Sequence, residues 1–442
     1  MGTRKMKSRR RYISYMFYIC LCFLACRSSG QRPEAFFERG LINLDHLDHL
    51  CEDVVIEGDT VTIVHIYADH PDYAWVEAEG EGIACVDDVA RAAVVYLRYY
   101  QLSREPSVLP RIRGLLDFVI FMQAEDGEFY NFITPDLEIN RTGRTSIKSF
   151  NFWAARAYWA LGYGYSVLRS IDPVYAQRLQ NLFLMCKKPI EQLLIRYGKF
   201  TTEGNREYPI WLVNDSGSDA TSELLLGLGY YLESERDDEL EVYALKLAEG
   251  MMAMQMGEGD VYPGAFISWR GLWHAYANAQ TQALSRLGKV LKKKSLIRSA
   301  EEEAQAFYSR IVKDGFIHAV RLDDENRVDR LPQIAYDVRP VVVGLIELER
   351  ATGHEEYGEW AGLAAAWFLG RNPAGRVMFD VTTGRCYDGI NDSTSINLNS
   401  GAESTIEALA SLLEVASHPS AYASMMHWVG QSTFEKSRTQ QP

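Results

Sequence analysis

Six segments of the sequence repeat one arrangement, in which a polar residue opens a helix that is rich in alanine, glycine and other small residues. A helix with small residues on several faces can pack against neighbours all round, so we expect inner helices here, with longer amphipathic helices outside them. A helical unit that recurs about every 50–65 residues is typical of closed helical arrays. The segments are V-D-D-V-A-R-A-A (86–93), S-F-N-F-W-A-A-R-A (149–157), S-G-S-D-A-T-S-E-L (216–224), G-L-W-H-A-Y-A-N-A-Q (271–280), A-Y-D-V-R-P-V-V (335–342) and N-S-G-A-E-S-T-I-E-A (399–408).

Turn signals group the chain into helical hairpins. Connections inside a hairpin are short, as is usual for antiparallel neighbouring helices, whereas connections between hairpins are long. Because every long connection lies on the same side of its hairpin, we expect the long connections to converge on one end of the molecule. The predicted helices are 87–104 with 107–124, 150–168 with 173–197, 219–233 with 237–255, 272–289 with 293–313, 338–352 with 355–370, and 400–416 with a partner in either 42–50 or the C-terminal M-M-H-W-V-G.

This pattern predicts an all-α fold, an (α/α)6 toroid of helical hairpins with a short N-terminal β segment. The alternation D-T-V-T-I-V-H-I-Y-A at 59–68 indicates the β segment. We expect four regions, namely a signal peptide with a lipobox at 1–26, an N-terminal extension with short strands at 27–80, a catalytic toroid at 81–430 and a polar tail at 431–442.

The first thirty residues have the pattern of a targeting segment. Residues 4–11 are mostly basic, and the apolar run that follows is shorter than the ~20 residues of a membrane span. The run ends in F-L-A-C-R-S-S-G, which resembles a bacterial lipobox with Cys26 as the lipidated residue. Cleavage near Ala25 and retention as an uncleaved anchor are the alternatives. The sequence therefore predicts an extracytoplasmic protein, in the periplasm or at the cell surface, attached to the membrane through a lipid on Cys26.

Charge and composition exclude several kinds of function. The formal net charge is -13 and no basic patch follows the first eleven residues, which argues against nucleic-acid binding. The cysteines beyond the targeting segment are far apart and the histidines show no zinc-binding spacing, so we predict no metal and no cofactor. The 25 tyrosines and 9 tryptophans are consistent with a neutral carbohydrate ligand.

Asp87 and Asp88 stand side by side at the start of the first inner helix, and Glu403 stands in the first turn of the last. Carboxylates at helix N-termini are often caps, because the helix end carries unpaired N–H groups and partial positive charge. A cap role for Asp87, its pairing with Arg91 and a capping box at Glu403 are therefore structural alternatives. Since only one member of an adjacent pair can be the cap, we expect Asp87 to cap the helix and Asp88 to be the functional member.

In a closed ring the first and last inner helices are neighbours, so Asp88 and Glu403 are expected to face each other. Two carboxylates on either side of a sugar-sized cleft can hydrolyse a glycosidic bond, because one protonates the leaving oxygen while the other activates water or attacks the anomeric carbon. We expect Glu403 to be the general acid and Asp88 the base, with Asp87 orienting water or ligand. A separation of about 6.5–9.5 Å suits an inverting pair, and about 5–5.5 Å a retaining pair.

Other polar and aromatic residues near the inner-helix starts are expected to line the cleft and bind a carbohydrate. Asp219 with Glu223, and Asp337 with Arg339, could instead form local caps or ion pairs. Aromatic residues clustered on loops at one end favour sugar stacking over core packing. The predicted cleft residues are Asn151, Trp153, Asp219, Trp273, His274, Asp337, Arg339, Tyr387, Asp388 and Asn399, with Phe150, Phe152, Trp211, Trp269 and Tyr336 as further stacking candidates.

Several of these stretches resemble known families. F-M-Q-A-E-D-G-E-F-Y-N-F-I-T (121–134) and W-F-L-G-R-N-P-A-G (367–375) resemble counterparts in cellulases of glycoside hydrolase family 9, within the six-hairpin glycosidase-like superfamily. V-D-D-V-A-R-A, and C-Y-D-G-I-N with N-L-N-S-G-A-E-S-T, resemble a helical toroid domain appended to some bacterial glycosyltransferases. In the cellulases an early aspartate pair activates water and a late glutamate is the acid. The resemblance therefore implies these roles for Asp87 and Asp88 and for Glu403, although the aspartates here are adjacent rather than spaced as D-x-x-D.

Two other functions fit the same fold. A polysaccharide lyase or sugar epimerase needs a histidine or tyrosine base near the sugar carbon, and His274 is the candidate at an inner-helix start. A non-catalytic glycan-binding lipoprotein is the second alternative, because fold does not dictate function. The favoured prediction is a glycoside hydrolase that acts on an oligo- or polysaccharide.

Overall fold

The computed structural model describes residues 40–322 and 326–439, with side chains described as far as residue 431. The predicted signal peptide and lipobox at 1–26, including Cys26, lie outside the described residues. Within the described ranges, no helix combines the length and the apolar character that a membrane span requires.

Most of the described chain is helical, and the long helices follow one another in hairpins. Several outer helices are extended or interrupted by single turns of 3-10 or π geometry. In chain order the helices are α1 (Asp45–Leu50), α2 (Val86–Ser103), α3 (Leu109–Phe121), α4 (Phe152–Leu168), α5 (Pro173–Phe183), α6 (Lys187–Leu194), α7 (Ser218–Ser234), α8 (Asp238–Met252), α9 (Gln280–Val290), α10 (Lys294–Glu303), α11 (Ser309–Asp314), α12 (Ala335–Thr352), α13 (Glu355–Ala365), α14 (Ala402–Ser417) and α15 (Pro419–Thr439).

The helices form two concentric layers. Within the described residues the inner ring consists of α2, α4, α7, α9, α12 and α14, each of which packs against the next, and α14 packs back against α2. Each inner helix also packs against the outer helix that follows it, namely α3, α5, α8, α10, α13 or α15. This closed double ring is an (α/α)6 toroid, which confirms the predicted all-α fold class. The contact between α14 and α2 is called the seam below.

Close packing between inner helices explains why their sequences contain so many small residues. A Cβ atom on Gly162 of α4 would lie 2.5 Å from the carbonyl oxygen of Gly227. A Cβ atom on Gly227 of α7 would lie 2.6 Å from the carbonyl oxygen of Tyr158. Because a densely packed interior has no room for such overlaps, α4 and α7 reach this distance only with glycine at both positions.

Short strands occupy the N-terminal segment and the long connections. β1 (Cys51–Ile56) and β2 (Asp59–Val64) form an antiparallel hairpin that packs on α3, and β3 (Tyr67–Asp69) pairs with β4 (Ala74–Val76). The predicted β segment is therefore present as two hairpins. The other strands are β5 (Ala84–Cys85), β6 (Phe132–Ile133), β7 (Phe200–Glu203), β8 (Arg206–Pro209), β9 (Leu272–His274), β10 (Ala319–Arg321), β11 (Val328–Asp329), β12 (Phe379–Asp380), β13 (Arg385–Cys386), β14 (Gly389–Ile390) and β15 (Ile396–Asn397).

The helix predicted at 272–289 starts later than expected, at Gln280. Residues 272–274 form β9 instead, because their backbone groups pair with β10 from a distant part of the chain. Ala277 then adopts a positive φ of 60°, which a helix interior does not accommodate, so α9 can begin only beyond it. As a result His274 lies on a strand and not on an inner helix.

The outer partner of the last inner helix is the C-terminal helix α15 and not the segment 42–50. The segment 42–50 contains only the short α1, which packs against α14. α15 continues to Thr439, so residues 431–439, within the predicted polar tail at 431–442, are helical.

Candidate active site

Charged side chains from the first turns of the inner helices meet inside the ring. Arg91 of α2 binds one oxygen of Glu407 on α14 at 2.6 Å, and Arg339 of α12 binds the other oxygen at 2.7 Å. Arg156 of α4 binds Glu223 of α7 at 2.6 Å. All these side chains are buried, so removing one partner leaves an uncompensated charge in the interior. The cluster therefore fixes the positions of the groups around it.

Tyr336 at the start of α12 lies among these arginines. Its ring centroid is 4.7 Å from the guanidinium of Arg91, 5.5 Å from that of Arg156 and 5.8 Å from that of Arg339. Its hydroxyl donates a hydrogen bond to Glu223 at 3.0 Å. Contact with the face of a desolvated aromatic ring stabilises a cation. Tyr336, a candidate for sugar stacking on sequence grounds, is therefore a buried part of the charged cluster.

The two adjacent aspartates have different surroundings. Asp88 is 4% exposed, and one of its oxygens lies 2.7 Å from Nη2 of Arg91. Burial raises the pKa of Asp88, Arg91 opposes that shift, and the neighbouring carboxylate of Asp87 adds to it. The Asp87 side chain is 23% exposed and binds Nη1 of Arg156 at 2.7 Å. Of the pair, Asp87 is thus the residue that water or a ligand reaches more easily.

The predicted cap role of Asp87 is wrong. In the described structure the N-cap residue of α2 is Cys85, and no side-chain hydrogen bond caps this helix. The expected pairing of Asp87 with Arg91 through side chains is also replaced, because Arg91 binds the carboxylate of Asp88 and only the backbone carbonyl of Asp87. The reason is Arg156, which reaches Asp87 from the next inner helix.

Glu403 lies at the seam, beside Asp88. Nη2 of Arg91 is 3.6 Å from Oε2 of Glu403 and 2.7 Å from Oδ1 of Asp88, so a single guanidinium nitrogen lies between the two carboxylates. The Glu403 side chain is 47% exposed, so solvent or a ligand can reach its carboxyl group. Desolvation by the surrounding protein raises the pKa of Glu403 to about 7, Arg91 opposes the shift, and the carboxylates of Asp88 and Glu407 add to it.

Glu403 does not cap α14, although the sequence allowed a capping box. Among the described residues, Asp388 approaches this helix end from the preceding loop and accepts hydrogen bonds from Gly401 N at 2.8 Å and the Ser404 hydroxyl at 2.7 Å. Because Asp388 satisfies polar groups at the N-terminus of α14, the carboxyl group of Glu403 is left to face the cleft.

Histidine–carboxylate pairs lie at the N-terminal ends of α7 and α12. His274 has Nε2 at 3.0 Å from Asp219 and Nδ1 at 2.9 Å from the carbonyl oxygen of Tyr276, and its ring stacks on Tyr276. Nδ1 of His318 lies 3.2 Å from Asp337, and this hydrogen bond raises the pKa of His318. A carboxylate that orients an imidazole in this way is suited to proton transfer. His318 and Tyr276 were not found from the sequence.

Three other predicted cleft residues are half-buried at this end of the ring. Asn151 precedes α4, and its side chain accepts a hydrogen bond from Phe152 N at 2.6 Å. Asn399 donates a hydrogen bond to Asp69 of β3 at 2.7 Å. Tyr387 is also half-buried, on the loop that carries Asp388. These side chains remain accessible to a ligand in the cleft.

The remaining predicted cleft residues are buried and do not form the cleft surface. The Trp153 indole donates to the carbonyl oxygen of Phe129 at 2.8 Å, and Trp273 packs edge-on against another core ring. Asp337 and Arg339 are 0% and 1% exposed. Their prediction as cleft residues is therefore corrected, because Trp153, Asp337 and Arg339 are buried in the packed interior at their helix starts and Trp273 is buried on the strand β9.

Tyr67 is a cleft residue that the sequence analysis missed. It lies on β3, which is fixed to the start of α14 by a hydrogen bond from Ala402 N to Ile66 O at 2.9 Å. Tyr67 is 46% exposed. Burial raises its pKa, and the nearby carboxylates of Asp88 and Glu403 add to the shift. No local signal marks this residue, because the contact of β3 with the seam joins distant parts of the chain.

The charged cluster did leave a signal in the sequence. Arg91, Arg156, Glu223 and Glu407 each lie four residues after a polar or aromatic residue near the start of their inner helix. Residues four apart share a helix face, so these positions are one turn deeper on the face that looks into the ring.

Cavities occur at both ends of the molecule. A cavity of about 1020 Å³ lies between α1, β2 and the start of α3, but none of the seam carboxylates lines it. A cavity of about 600 Å³ lies at the N-terminal ends of α4 and α7, where Asp219 and His274 line it. Of these two cavities, only the second is lined by residues that the sequence predicted for the cleft.

No protein-family model matches this chain, and neither does a curated protein sequence. Solved structures do match. The cellobiose 2-epimerase from Spirochaeta thermophila DSM 6192 is 11% identical at a TM-score of 0.61, over 90% of this chain and 99% of that chain. A sugar epimerase from a ruminal bacterium is 14% identical at a TM-score of 0.61, over 87% of this chain and 98% of that chain.

An α-1,6-mannanase of glycoside hydrolase family 76 from Salegentibacter sp. HEL1_6 is 12% identical at a TM-score of 0.53, over 88% of this chain and 99% of that chain. Its structure is of an inactive variant with two consecutive aspartates replaced by alanine, bound to α-1,6-mannotetrose. Identities this low establish the fold and nothing further. The chain therefore shares its (α/α)6 toroid fold with these sugar epimerases and this mannanase.

Proposed function

We propose that this protein is a carbohydrate-active enzyme that hydrolyses a glycosidic bond. The observation that carries the proposal is the meeting of Glu403 and Asp88 at the seam, where one nitrogen of Arg91 lies 3.6 Å from Glu403 and 2.7 Å from Asp88, and the pKa of the exposed Glu403 is raised to about 7. A carboxylic acid that keeps its proton near neutral pH can protonate a glycosidic oxygen as the bond to the anomeric carbon breaks. Asp87 and Asp88 lie on the other side of the seam, so an acid and a carboxylate partner share the same cleft.

The different burial of the aspartates supports a revised division of roles. Asp87, the more exposed, is assigned to accept a proton from the water that attacks the anomeric carbon. Asp88, bound to Arg91 and buried, is assigned to position Arg91 and to raise the pKa of Glu403. The proton lost by Glu403 ends on the leaving sugar, and the proton taken from water ends on Asp87. The fold match to a mannanase that is inactive without two consecutive aspartates is consistent with this arrangement.

Replacement of Glu403 tests the hydrolase proposal. We expect Glu403→Gln to lower kcat about a thousandfold or more, since general acid–base groups contribute typically 10²–10⁴-fold and the leaving oxygen is poor without protonation. Reducing-end release from β-1,4-gluco- and α-1,6-manno-oligosaccharides is the measurement, with Glu359→Gln, an exposed glutamate on α13, as the matched control. Unchanged turnover in Glu403→Gln would contradict the assignment.

Sugar epimerisation is the second candidate, because His274 and His318 are each paired with a carboxylate in the same end of the ring. An epimerase removes and returns a proton at a sugar carbon, so it incorporates solvent deuterium without new reducing ends. His274→Ala would then abolish exchange while Glu403→Gln retained it. Deuterium incorporation from heavy water, followed by NMR on cellobiose, separates the two reactions, and its absence in the wild type would remove this candidate.

A further inference from the structure

The cavity of about 600 Å³ at the N-terminal ends of α4 and α7 has the size of a ligand site, since small-molecule pockets span roughly 300–1,000 Å³. It lies away from the seam, on the part of the inner ring formed by α4, α7 and the strand β9. Among its lining residues are Phe150, Phe152, Arg196, Asn214, Trp269 and His274.

Trp269 is more exposed than Phe150 and Phe152, which also line this cavity. Trp269 is 44% exposed. Its indole N–H nevertheless donates a hydrogen bond to the carbonyl oxygen of Asn214 at 3.1 Å. Its backbone exchanges two hydrogen bonds with Leu272, at 2.9 and 3.1 Å. A large aromatic side chain that is exposed but already fixed loses little conformational entropy when a ligand covers it. Trp269 is therefore preorganised for contact with a flat apolar face.

The charges around the cavity favour a neutral ligand. Arg196 and Arg270 both bind Asp215, and Arg270 also binds Glu203 at 3.0 Å. These cations are already compensated, whereas a site for a phosphate or carboxylate ligand needs free cationic donors. Aromatic faces from Phe150 and Trp269 beside amide and carboxylate groups suit a molecule with an apolar face and a rim of hydroxyls, which describes a pyranose ring.

Arg156 connects one wall of the cavity to Asp87 at the start of α2. The Arg156 guanidinium lies 5.3 Å from the ring centroid of Phe152, which lines the cavity, and the same guanidinium binds Asp87 at 2.7 Å. The cavity and Glu403 are nevertheless separated across the inner ring. Neighbouring helices pack about 8–10 Å apart, so opposite members of a six-helix ring are roughly twice that distance apart. A disaccharide cleaved at Glu403 is too short to reach Trp269.

We propose that this cavity is a distal sugar subsite with Trp269 as its platform, and that the substrate is a neutral oligosaccharide of at least three units. The inference rests on the proposed hydrolase function, because it takes Glu403 as the point of cleavage. The proposed subsite predicts that the number of sugar units in a substrate, and not only their linkage, determines how tightly the substrate binds.

Calorimetric titration of full-length Glu403→Gln protein tests the subsite without turnover. The probes are β-1,4-gluco- and α-1,6-manno-oligosaccharides of two to five units. Adding Trp269→Ala should weaken binding of the longer members about tenfold and leave disaccharide binding unchanged, and Trp269→Phe should retain most of the affinity. Trp75→Ala is the matched control, because Trp75 is 42% exposed but stacks on His65 at 3.8 Å.

Equal weakening for all lengths, no weakening, or no binding by any member of either series would overturn the subsite. Unchanged circular dichroism spectra and Tm values verify that Trp269→Ala is folded. The outcomes separate this inference from the hydrolase proposal. If longer oligosaccharides bind more tightly and this gain needs Trp269, but the wild type hydrolyses none of them, only the hydrolase proposal is rejected. If the enzyme hydrolyses oligosaccharides of every length and Trp269→Ala changes none of these rates, only the subsite is rejected.

Discussion

Glu403 combines access to the cleft with a carboxyl group that holds its proton near neutral pH. An ordinary glutamate has a pKa near 4.3 and is almost fully ionised at pH 7. At the seam the loss of solvation and the nearby carboxylates of Asp88 and Glu407 outweigh the attraction of Arg91, and the pKa rises to about 7. Glu403 can therefore donate a proton near pH 7, where an ordinary glutamate is ionised and can only accept one.

Hydrolysis should consequently decline as the pH rises through about 7, because only the protonated form of Glu403 can act as the acid. Asp88→Asn removes a negative charge that raises this pKa, so we expect the alkaline limb of kcat/KM to shift to lower pH. Profiles of kcat/KM from pH 5 to 9 measure the shift. A ¹³C NMR titration of the labelled Glu403 carboxyl group measures it without a substrate.

The control for this shift is Asp238→Asn, since Asp238 is an exposed residue of α8 far from the seam along the chain. Its alkaline limb should coincide with that of the wild type. If the alkaline limb of Asp88→Asn has the same pH midpoint as that of the wild type, the charge of Asp88 does not affect the pKa of Glu403.

At the scale of single elements, the inner helices depend on glycine where their backbones touch. Gly227→Ala would place a Cβ atom 2.6 Å from the carbonyl oxygen of Tyr158, so α4 and α7 must move apart. Overpacking of this kind costs about 1–3 kcal/mol of unfolding free energy, which exceeds the gain of about 1 kcal/mol or less from replacing a helical glycine. Urea denaturation measures the loss.

Gly259→Ala is the control, because no heavy atom lies within 4 Å of its added Cβ atom and its φ is not positive. We expect its stability to match the wild type. A stable Gly227→Ala protein would show that the inner ring accommodates wider spacing than its sequence implies.

Local patterns identified the elements better than they identified their neighbours. The helix starts rich in small residues predicted the inner helices, because a helix that is packed on all sides needs small residues in every turn. Residues 272–274 of β9 were assigned to a helix, since the partner strand β10 lies beyond α9, α10 and α11 and is not evident from the sequence near residue 272. The burial of Trp153 and Trp273 was missed for a similar reason, because Phe129, whose carbonyl oxygen binds the Trp153 indole, and Phe307, which packs on Trp273, lie outside the elements that carry these tryptophans.

At the scale of the whole molecule, ring closure was predictable and its consequences were only partly so. The number of repeats indicated that the first and last inner helices meet, and this brought Asp88 and Glu403 together. Which aspartate stays exposed depends on Arg156, a residue of another helix. The importance of Tyr67 likewise depends on β3 lying against α14. Contacts between separate elements decided these details.

The far end of the ring carries a second, partly buried ion cluster, which should make the fold sensitive to acid. Glu414 binds Arg98 and Arg350, each at 2.6 Å, and these arginines lower its pKa to about 2 against the opposing effect of burial. A carboxylate with a depressed pKa contributes stability that is present above about pH 4.5 and is lost as the pH falls toward 2.

Glu414→Gln should therefore destabilise the protein at pH 7 by about 1–3 kcal/mol, because it removes the carboxylate partner of the half-buried Arg98 and leaves Arg350 with Glu347 alone. The difference from the wild type should shrink at pH 3, where Glu414 begins to protonate. Urea unfolding at both pH values measures this, with Glu359→Gln as the control. A difference that is the same at both pH values would contradict the argument.

The seam also sets an order of events during translation. α2 leaves the ribosome with the first hairpin, but Arg91 meets Glu407 only after α14 has been synthesised. Until then Asp88 and Arg91 lack Glu403 and Glu407, and the arc of helices made so far cannot close into a ring. Catalytic competence should therefore arise in a single late step, when the final hairpin docks and turns that arc into a ring.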